Sequence, residues 1–436
     1  MYDYRYEPHH VIFMIDNKSF FASCEALALG LNPMRAVLAV VSHRPNLNYG
    51  SGLIMAASPL AKKKYGLTNV MRVRDLPSKK VAPDLILVEP HMNLYIKRSM
   101  QILDIFRKYA ADEDIHVYSI DESMVDMTKS WQLFGDDPYL VARKIQVEIK
   151  NSLGLYTTCG IGENPLLAKL AMDISAKHRY SMIDYWHYID VPDTIWKISN
   201  LEDVWGIGKK TAQHLQRMGI KNMYDLAHTN PTILTNEFGI IGAQLFATSW
   251  GVDRSIISEK SPPESPSYGN SQILNYDYTI QREIEIVLRE IVEQVAARLR
   301  AYNFQAKCLS LYVGFSRSYH GKSKGFNVQQ KITPTNDDQF LNCALINLFR
   351  KNWHGEPVRL LSVSCSHLTS ANYEQMTFLL TPSQQIKKSM INKTIDSIHQ
   401  KYGFTSLVKA SSLLHGATAI KRSNLVGGHN GGDLYE

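Results

Sequence analysis

The 436-residue chain has no stretch approaching the ~18–20 consecutive apolar residues that a membrane-spanning helix needs. Its apolar runs, such as Val11–Ile15 and Leu85–Val88, have strand length. Asp3, Glu7 and two histidines in the first ten residues do not read as a signal peptide. Cysteine is scarce: Cys24, Cys159, Cys308, Cys343 and Cys365 are odd in number and include no C-x-x-C pair. Neither a disulfide framework nor a zinc site is indicated, and reduced thiols in a cytoplasmic protein are expected. Strong charge of either sign is also missing. Lysine plus arginine exceed aspartate plus glutamate by 48 − 41 = 7, a mild excess compatible with an anionic partner without demonstrating one. Hydrophobic residues at 44% and charged residues at 20% exclude a disordered or fibrous chain.

The length suggests about three domains. The first ~190 residues alternate short apolar runs with helix-period segments, the pattern of a sheet covered by helices. VIFMID (Val11–Asp16) reads as a buried strand leading into a helix near Ser19, and LILVEP (Leu85–Pro90) as another strand. IHVYSID and SMVDMT follow as two strands with almost no turn between them. Pro138–Leu153 reads as a helix, Thr157–Gly162 as a strand and Pro165–Lys177 as a helix. Hairpins and crossovers together favour a mixed α+β sheet over a doubly wound one. Residues 31–80, rich in small and basic residues, read as an inserted subdomain. Trp205–Ile220 is a Gly-x-Gly turn entering an amphipathic helix, and EKSPPESPSY at 259–268 reads as a linker. A further α+β module follows, with a helix over Thr279–Tyr302 and strands at Leu309–Ser316, Phe326–Ile332 and Val358–Leu368. The tail predicts a helix at Ser383–Tyr402 and ends in GGHNGG, a flexible terminus by composition.

Three carboxylates stand out by position. Asp16 ends an apolar strand, and Asp121 and Glu122 occupy the junction of two others. Carboxylates held at neighbouring strand ends, without histidine or thiol, suit hard cations such as magnesium. On spacing alone an acidic hairpin turn, with Asp16 as a helix N-cap, accounts for the same residues.

Asp16-Asn17-Lys18-Ser19-Phe20-Phe21-Ala22-Ser23-Cys24-Glu25 and Tyr118-Ser119-Ile120-Asp121-Glu122-Ser123 resemble the two catalytic motifs of Y-family DNA polymerases, most closely the UmuC-type translesion enzymes. Ala61-Lys62-Lys63-Lys64-Tyr65-Gly66, Gly160-Ile161-Gly162, Leu167-Ala168-Lys169-Leu170-Ala171 and Gly206-Ile207-Gly208 follow in the family's order. The tail at 407–428 looks like that of Gram-positive chromosomal, phage and plasmid members. The resemblance implies an α+β multidomain right-hand polymerase. Its palm would be residues 1–30 and 81–190, its fingers 31–80 and its helix-hairpin-helix thumb 191–255. A linker at 256–269, a little finger at 270–380 and a tail at 381–436 would complete it.

The same resemblance implies roles for residues. Asp16, Asp121 and Glu122, with the backbone carbonyl of Asn17, become ligands of two Mg2+ ions. Phe21 becomes a steric gate against a ribose 2′-hydroxyl, and Phe20 a core residue. Lys63 and Lys177 fall at or near dNTP-phosphate positions. A solvated surface lysine accounts for Lys63 equally, Leu60 replaces a phosphate-binding tyrosine, and the Lys-Pro-Asn run usual near Lys177 is missing. Gly206, Gly208 and Lys209 would meet the DNA backbone, and so would Arg317, Lys322 and Lys324 in a segment, 301–331, that has no acidic residue. Gln375, Met376, Phe378 and Leu379 resemble a sliding-clamp peptide, though a plain edge strand reads as well. The expected activity is error-prone, template-directed translesion synthesis on primer-template DNA in SOS-type damage tolerance, without proofreading. Accessory subunits are possible partners and no membrane is involved. The rival readings are a non-catalytic damaged-DNA-binding factor on the same scaffold and a nucleotidyl cyclase with a similar palm.

Overall fold

Strand β1 (Ile12–Asn17) is the centre of a five-stranded sheet and is buried on both faces, which is why its sequence is one apolar run rather than an alternation. The computed structural model describes residues 2–42, 52–259, 265–321, 323–372 and 382–432. They form two units, residues 1–260 with 429–436, and residues 261–428. The first unit continues with α1 (Phe20–Ala28), β2 (Leu38–Val41), β3 (Ile54–Ala57), α2 (Pro59–Tyr65), β4 (Ile86–Val88), α3 (Met92–Phe106), β5 (Ile115–Val117) and β6 (Glu122–Asp126). Then come α4 (Pro138–Leu153), β7 (Thr157–Gly162), α5 (Pro165–Leu170) and β8 (Ile183–Trp186). Four short helices follow, α6 (Lys209–Arg217), α7 (Met223–Ala227), α8 (Pro231–Phe238) and α9 (Ile240–Ser249).

The large sheet has the order β5-β6-β1-β7-β8, antiparallel except for the β7–β8 pair, so it is mixed as the sequence predicts. Phe13 and Ile15 of β1 pack on one face with Tyr95, Ile102 and Phe106 of α3 and Val141, Ile145 and Ile149 of α4. Each such fully buried side chain stabilises by about 1.5–3 kcal/mol. Ile12 and Met14 face the other way, against Ala168 of α5 and Met172. Gly160 and Gly162 of β7 make that second layer possible. A β-carbon on Gly160 would lie 2.1 Å from the Ala168 carbonyl oxygen, and one on Gly162 would lie 2.2 Å from the Ala168 nitrogen. The segment read as one helix over 165–177 is α-helical only through Leu170. It widens into a π turn at Ala171–Ser175 and closes with a 3-10 turn at Ala176–His178. Such bulges recur where a helix must re-aim side chains.

β4 departs from the expected division at residue 80. It pairs in parallel with β2, in a separate sheet of order β3-β2-β4, so the small sheet reaches past that boundary. An apolar run carries no mark of which sheet it will join. In the helical segment, Leu201, Val204, Ile207, Leu215, Met223 and Leu234 share one core.

The second unit is an antiparallel sheet of order β11-β10-β12-β9, formed by β9 (Tyr268–Tyr278), β10 (Phe304–Phe315), β11 (Gly325–Thr335) and β12 (Val358–Ser370). Helices α10 (Gln281–Ala301) and α11 (Asp338–Asn352) contribute to its core. On α10 the core side is Ile284, Leu288, Ile291, Val295 and Leu299, at helical spacing. β9 begins inside the segment read as linker. Its sequence, YGNSQILNYDY, is too polar to announce a strand, and it forms by pairing with β12 at the sheet edge.

The tail folds onto this unit. Arg300 of α10 lies 2.6 Å from both Asp338 of α11 and Asp396 of α12 (Pro382–Tyr402). Glu290, buried on α10, accepts from the backbone N–H groups of Thr418 and Ala419, both at 2.9 Å, and so caps a short helix, α13 (Ala419–Arg422). Residues 429–432, expected to be loose, belong to the first unit. The Asn93 backbone N–H donates to the Gly431 carbonyl at 3.0 Å, and the Asn93 side chain to the Gly432 carbonyl at 3.1 Å.

Candidate active site

The antiparallel register of β1 and β6 sets Asp16 directly opposite Glu122, with Asp121 one residue before β6. Asn17 locks that junction: its backbone N–H and its side-chain amide both donate to the Asp121 carbonyl at 2.9 Å. Ser119 tightens the turn from within. Its hydroxyl donates to Asp121 Oδ1 at 2.7 Å and accepts from the Glu122 N–H at 3.1 Å. Three carboxylates therefore stand at one end of the central strands, on backbone that hydrogen bonding holds rigid.

A row of alternating charge faces them. Lys169, Asp173 and Lys177 lie four residues apart along α5 and its π turn. The Lys169 ammonium is 2.8 Å from Glu122 and 3.2 Å from Asp173; Lys177 is 2.7 Å from Asp173 and 3.9 Å from Asp16. The Asp16 carboxyl is raised to about 6, chiefly by burial, with Lys177 opposing and Asp121 and Glu122 adding to the rise. Burial alone would lower Lys177, yet Asp16 and Asp173 raise it above the ordinary lysine value.

Among the described residues, no three carboxylates, imidazoles or thiolates converge closely enough to hold a metal ion. Each acid has its own partner instead: Ser119 for Asp121, Lys169 for Glu122, Lys177 for Asp16. The donor chemistry, oxygen only and anionic, still fits a hard divalent cation. Ser119 and Lys169 each engage one oxygen of their acid, Asp121 Oδ1 and Glu122 Oε1.

Phe20 is buried at the start of α1, as a core residue should be, whereas Phe21 is half-exposed. The Phe21 ring stacks on fully buried Tyr95, with centroids 4.4 Å apart and planes 16° apart. Lys63 is exposed on α2. Its neighbour Lys62, also exposed and assigned no role from the sequence, answers electrically to the site. Burial lowers its pKa, Asp16 partly offsets this, and Lys177 and Lys18 lower it further. Lys169, Asp173, Ser119 and Tyr95 were also passed over. For Lys169 and Asp173 the spacing of four, continued to Lys177, is the legible signal.

Gly206, at φ 91°, and Gly208, the N-cap of α6, are exposed, and nothing lies within 4 Å of where either would carry a β-carbon. Lys209 opens α6 beside them and is exposed. Arg317 and Lys324 are exposed at the ends of β10 and β11. Lys322, Gln375, Met376, Phe378 and Leu379 lie outside the described residues.

Three strand-end acids on a mixed sheet and an exposed glycine turn at the start of α6 are the site features of the first unit. Comparison with known proteins supplies the rest. The impB/mucB/samB family matches residues 15–173, its helix-hairpin-helix motif residues 190–220 and its C-terminal domain residues 265–378. UvrX of Bacillus subtilis (strain 168) is 36% identical over 98% of this chain and 100% of its own. "DNA polymerase IV 2" of Halalkalibacterium halodurans is 32% identical over 96% of this chain and 99% of its own. A Y-family DNA polymerase chimera of Dbh and Dpo4 has the same fold, with a TM-score of 0.64 at 21% identity over 83% of this chain and 99% of that one. The chain belongs to the impB/mucB/samB family, the Y-family of translesion, DNA-directed DNA polymerases. No helix among the described residues is long and apolar enough to cross a membrane.

Proposed function

We propose that this polymerase extends a primer 3′-hydroxyl with dNTPs by two-metal phosphoryl transfer, as an error-prone enzyme of SOS-type damage tolerance. The observation that carries the reading is the register pair Asp16–Glu122 with Asp121 beside it, three acids crowded where burial and mutual repulsion favour a bound cation. Asp16, Asp121, Glu122 and the Asn17 carbonyl would hold two magnesium ions, which lower the pKa of the attacking hydroxyl and offset charge on the leaving pyrophosphate. Lys177, with Lys62 or Lys63, would orient the triphosphate. Phe21 would stand against the sugar and exclude a 2′-hydroxyl by clash. The glycine turn at Gly206–Gly208, with Lys209, would hold the DNA backbone without reading sequence. Arg317, Lys322 and Lys324 would add salt-dependent grip along the duplex.

Palm, fingers, thumb and little finger would take the residue ranges read from the sequence, with β4 added to the fingers sheet and β9 opening the little finger at Tyr268. A fingers sheet of three short strands cannot enclose the nascent pair tightly, which supports tolerance of distorted templates. The Gln375–Leu379 segment would bind the sliding clamp, and accessory subunits remain candidate partners. The test is primer extension on an undamaged template with four dNTPs and magnesium, wild type beside Asp121→Asn. Extension by wild type alone is expected. Comparable extension by Asp121→Asn overturns the ligand assignment. Retained DNA binding with no extension by either protein would leave a missing activating partner or the DNA-binding-factor reading.

A further inference from the structure

Beneath Phe21 lies a chain of contacts that the catalytic reading does not use. Phe21 stacks on Tyr95, and the Tyr95 hydroxyl donates to Glu25 Oε1 at 2.5 Å. Glu25 is fully buried on α1, and its carboxylate also accepts from His91 Nδ1 at 2.9 and 3.1 Å. His91 immediately precedes α3 and is in turn covered by the end of the chain. A β-carbon on Gly432 would lie 2.4 Å from His91 Cδ2, so only glycine, here at φ 66°, lets the backbone press on that ring. Asn93 clasps the same turn twice. Its backbone N–H, an orphan donor at the start of α3, takes the Gly431 carbonyl, and its side chain takes the Gly432 carbonyl. The Gly432 N–H closes the turn on Asn430 Oδ1 at 3.1 Å. These residues lie beyond every segment that the family models match.

We propose that the turn Asn430–Gly432 is a positioning element for Phe21, acting through His91, Glu25 and Tyr95, so that sugar discrimination depends on this turn. The turn immobilises His91, His91 and Tyr95 share one buried carboxylate, and Tyr95 fixes the plane of the Phe21 ring. A gate works by refusing to move, and a ring whose backing is loose can tilt away from a 2′-hydroxyl. The inference rests on the proposed role of Phe21 as that gate.

The experiment compares ribonucleotide with deoxynucleotide incorporation by five proteins. They are wild type, Phe21→Ala, Tyr95→Phe, Gly432→Ala and a chain ending at Gly428, with melting temperatures recorded for all. Gly432→Ala and the shortened chain should raise the rNTP-to-dNTP ratio roughly three- to tenfold, less than Phe21→Ala, while dNTP turnover stays within about twofold of wild type. Tyr95→Phe keeps the stacked ring but cuts the link to Glu25, so it should fall with Gly432→Ala. A merely structural loss lowers both incorporations together and leaves the ratio fixed. If the shortened chain melts early, Gly432→Ala and Tyr95→Phe carry the test. Wild-type ratios in both, beside a raised ratio in Phe21→Ala, would overturn the inference and leave the gate standing. An unchanged ratio in Phe21→Ala would remove both.

Discussion

Lys169 sets its ammonium 2.8 Å from the carboxylate of Glu122, with only 8% of the lysine side chain exposed. A lysine so placed is there for its charge, because burying it otherwise costs several kcal/mol. Lys169→Met should therefore strand Glu122 beside Asp16 and destabilise the first unit by about 2–3 kcal/mol. Magnesium should raise the melting temperature of the variant more than that of wild type, since an added cation replaces the missing charge. Equal magnesium responses would show that Glu122 is not exposed to the ion.

Lys62 and Lys63 are adjacent on α2, and Lys62 responds to the site: burial lowers its pKa, Asp16 raises it, and Lys177 and Lys18 lower it further. Lys62→Ala should raise KM for dNTP by about tenfold, and Lys63→Ala by no more than about twofold. Steady-state single-nucleotide insertion measures both. The reverse order would return the triphosphate contact to Lys63.

These two cases show what was legible in the sequence. The place of Asp16, Asp121 and Glu122 at strand ends was legible because apolar runs mark strands, and β1, buried on both faces, is a plain run; that they are more than an acidic turn came from the motif resemblance. Side-chain direction on a short basic helix is not marked in that way. Lys62, Lys63 and Lys64 are equivalent as letters, and the fold around α2 makes them different. β4 and β9 failed for a related reason: which sheet takes β4, and whether a polar stretch like β9 pairs at all, depends on distant strands. The tail was opaque because its ties are single contacts to α10 and Asn93, with no periodicity to betray them.

Gly160 and Gly208 are both glycines of Gly-x-Gly motifs, and they should behave oppositely. A β-carbon at Gly160 meets backbone atoms of Ala168 and Met172 at 2.1 and 2.3 Å, neither of which can move without shifting α5 and with it Lys169. Gly160→Ala should cost about 3 kcal/mol or more and abolish extension. At Gly208 the same methyl enters open space at φ −83°, an ordinary conformation for alanine. Gly208→Ala should melt like wild type and weaken DNA binding several-fold, by keeping phosphate away from the amides. Undiminished binding would remove the glycine turn from the DNA contact.

Glu7 gives the first unit a pH dependence separate from Asp16, Asp121 and Glu122. Its carboxylate takes two hydrogen bonds from Arg254, at 2.7 and 2.5 Å, and one from Tyr2 at 2.9 Å, joining the N-terminal segment to the chain just after α9. The Arg254 hydrogen bonds hold its pKa below the ordinary 4.5, outweighing burial, which acts the other way. A carboxyl whose folded value is depressed adds stability above its unfolded pKa and loses it as pH falls through the folded value. Because Arg254 is largely exposed, the pair should contribute only about 1 kcal/mol at neutral pH. Glu7→Gln should therefore melt below wild type at pH ~7, and the two curves should converge as the pH falls through the depressed folded value of Glu7. A constant gap across that range would place the effect of the substitution in lost packing rather than in the charge of Glu7.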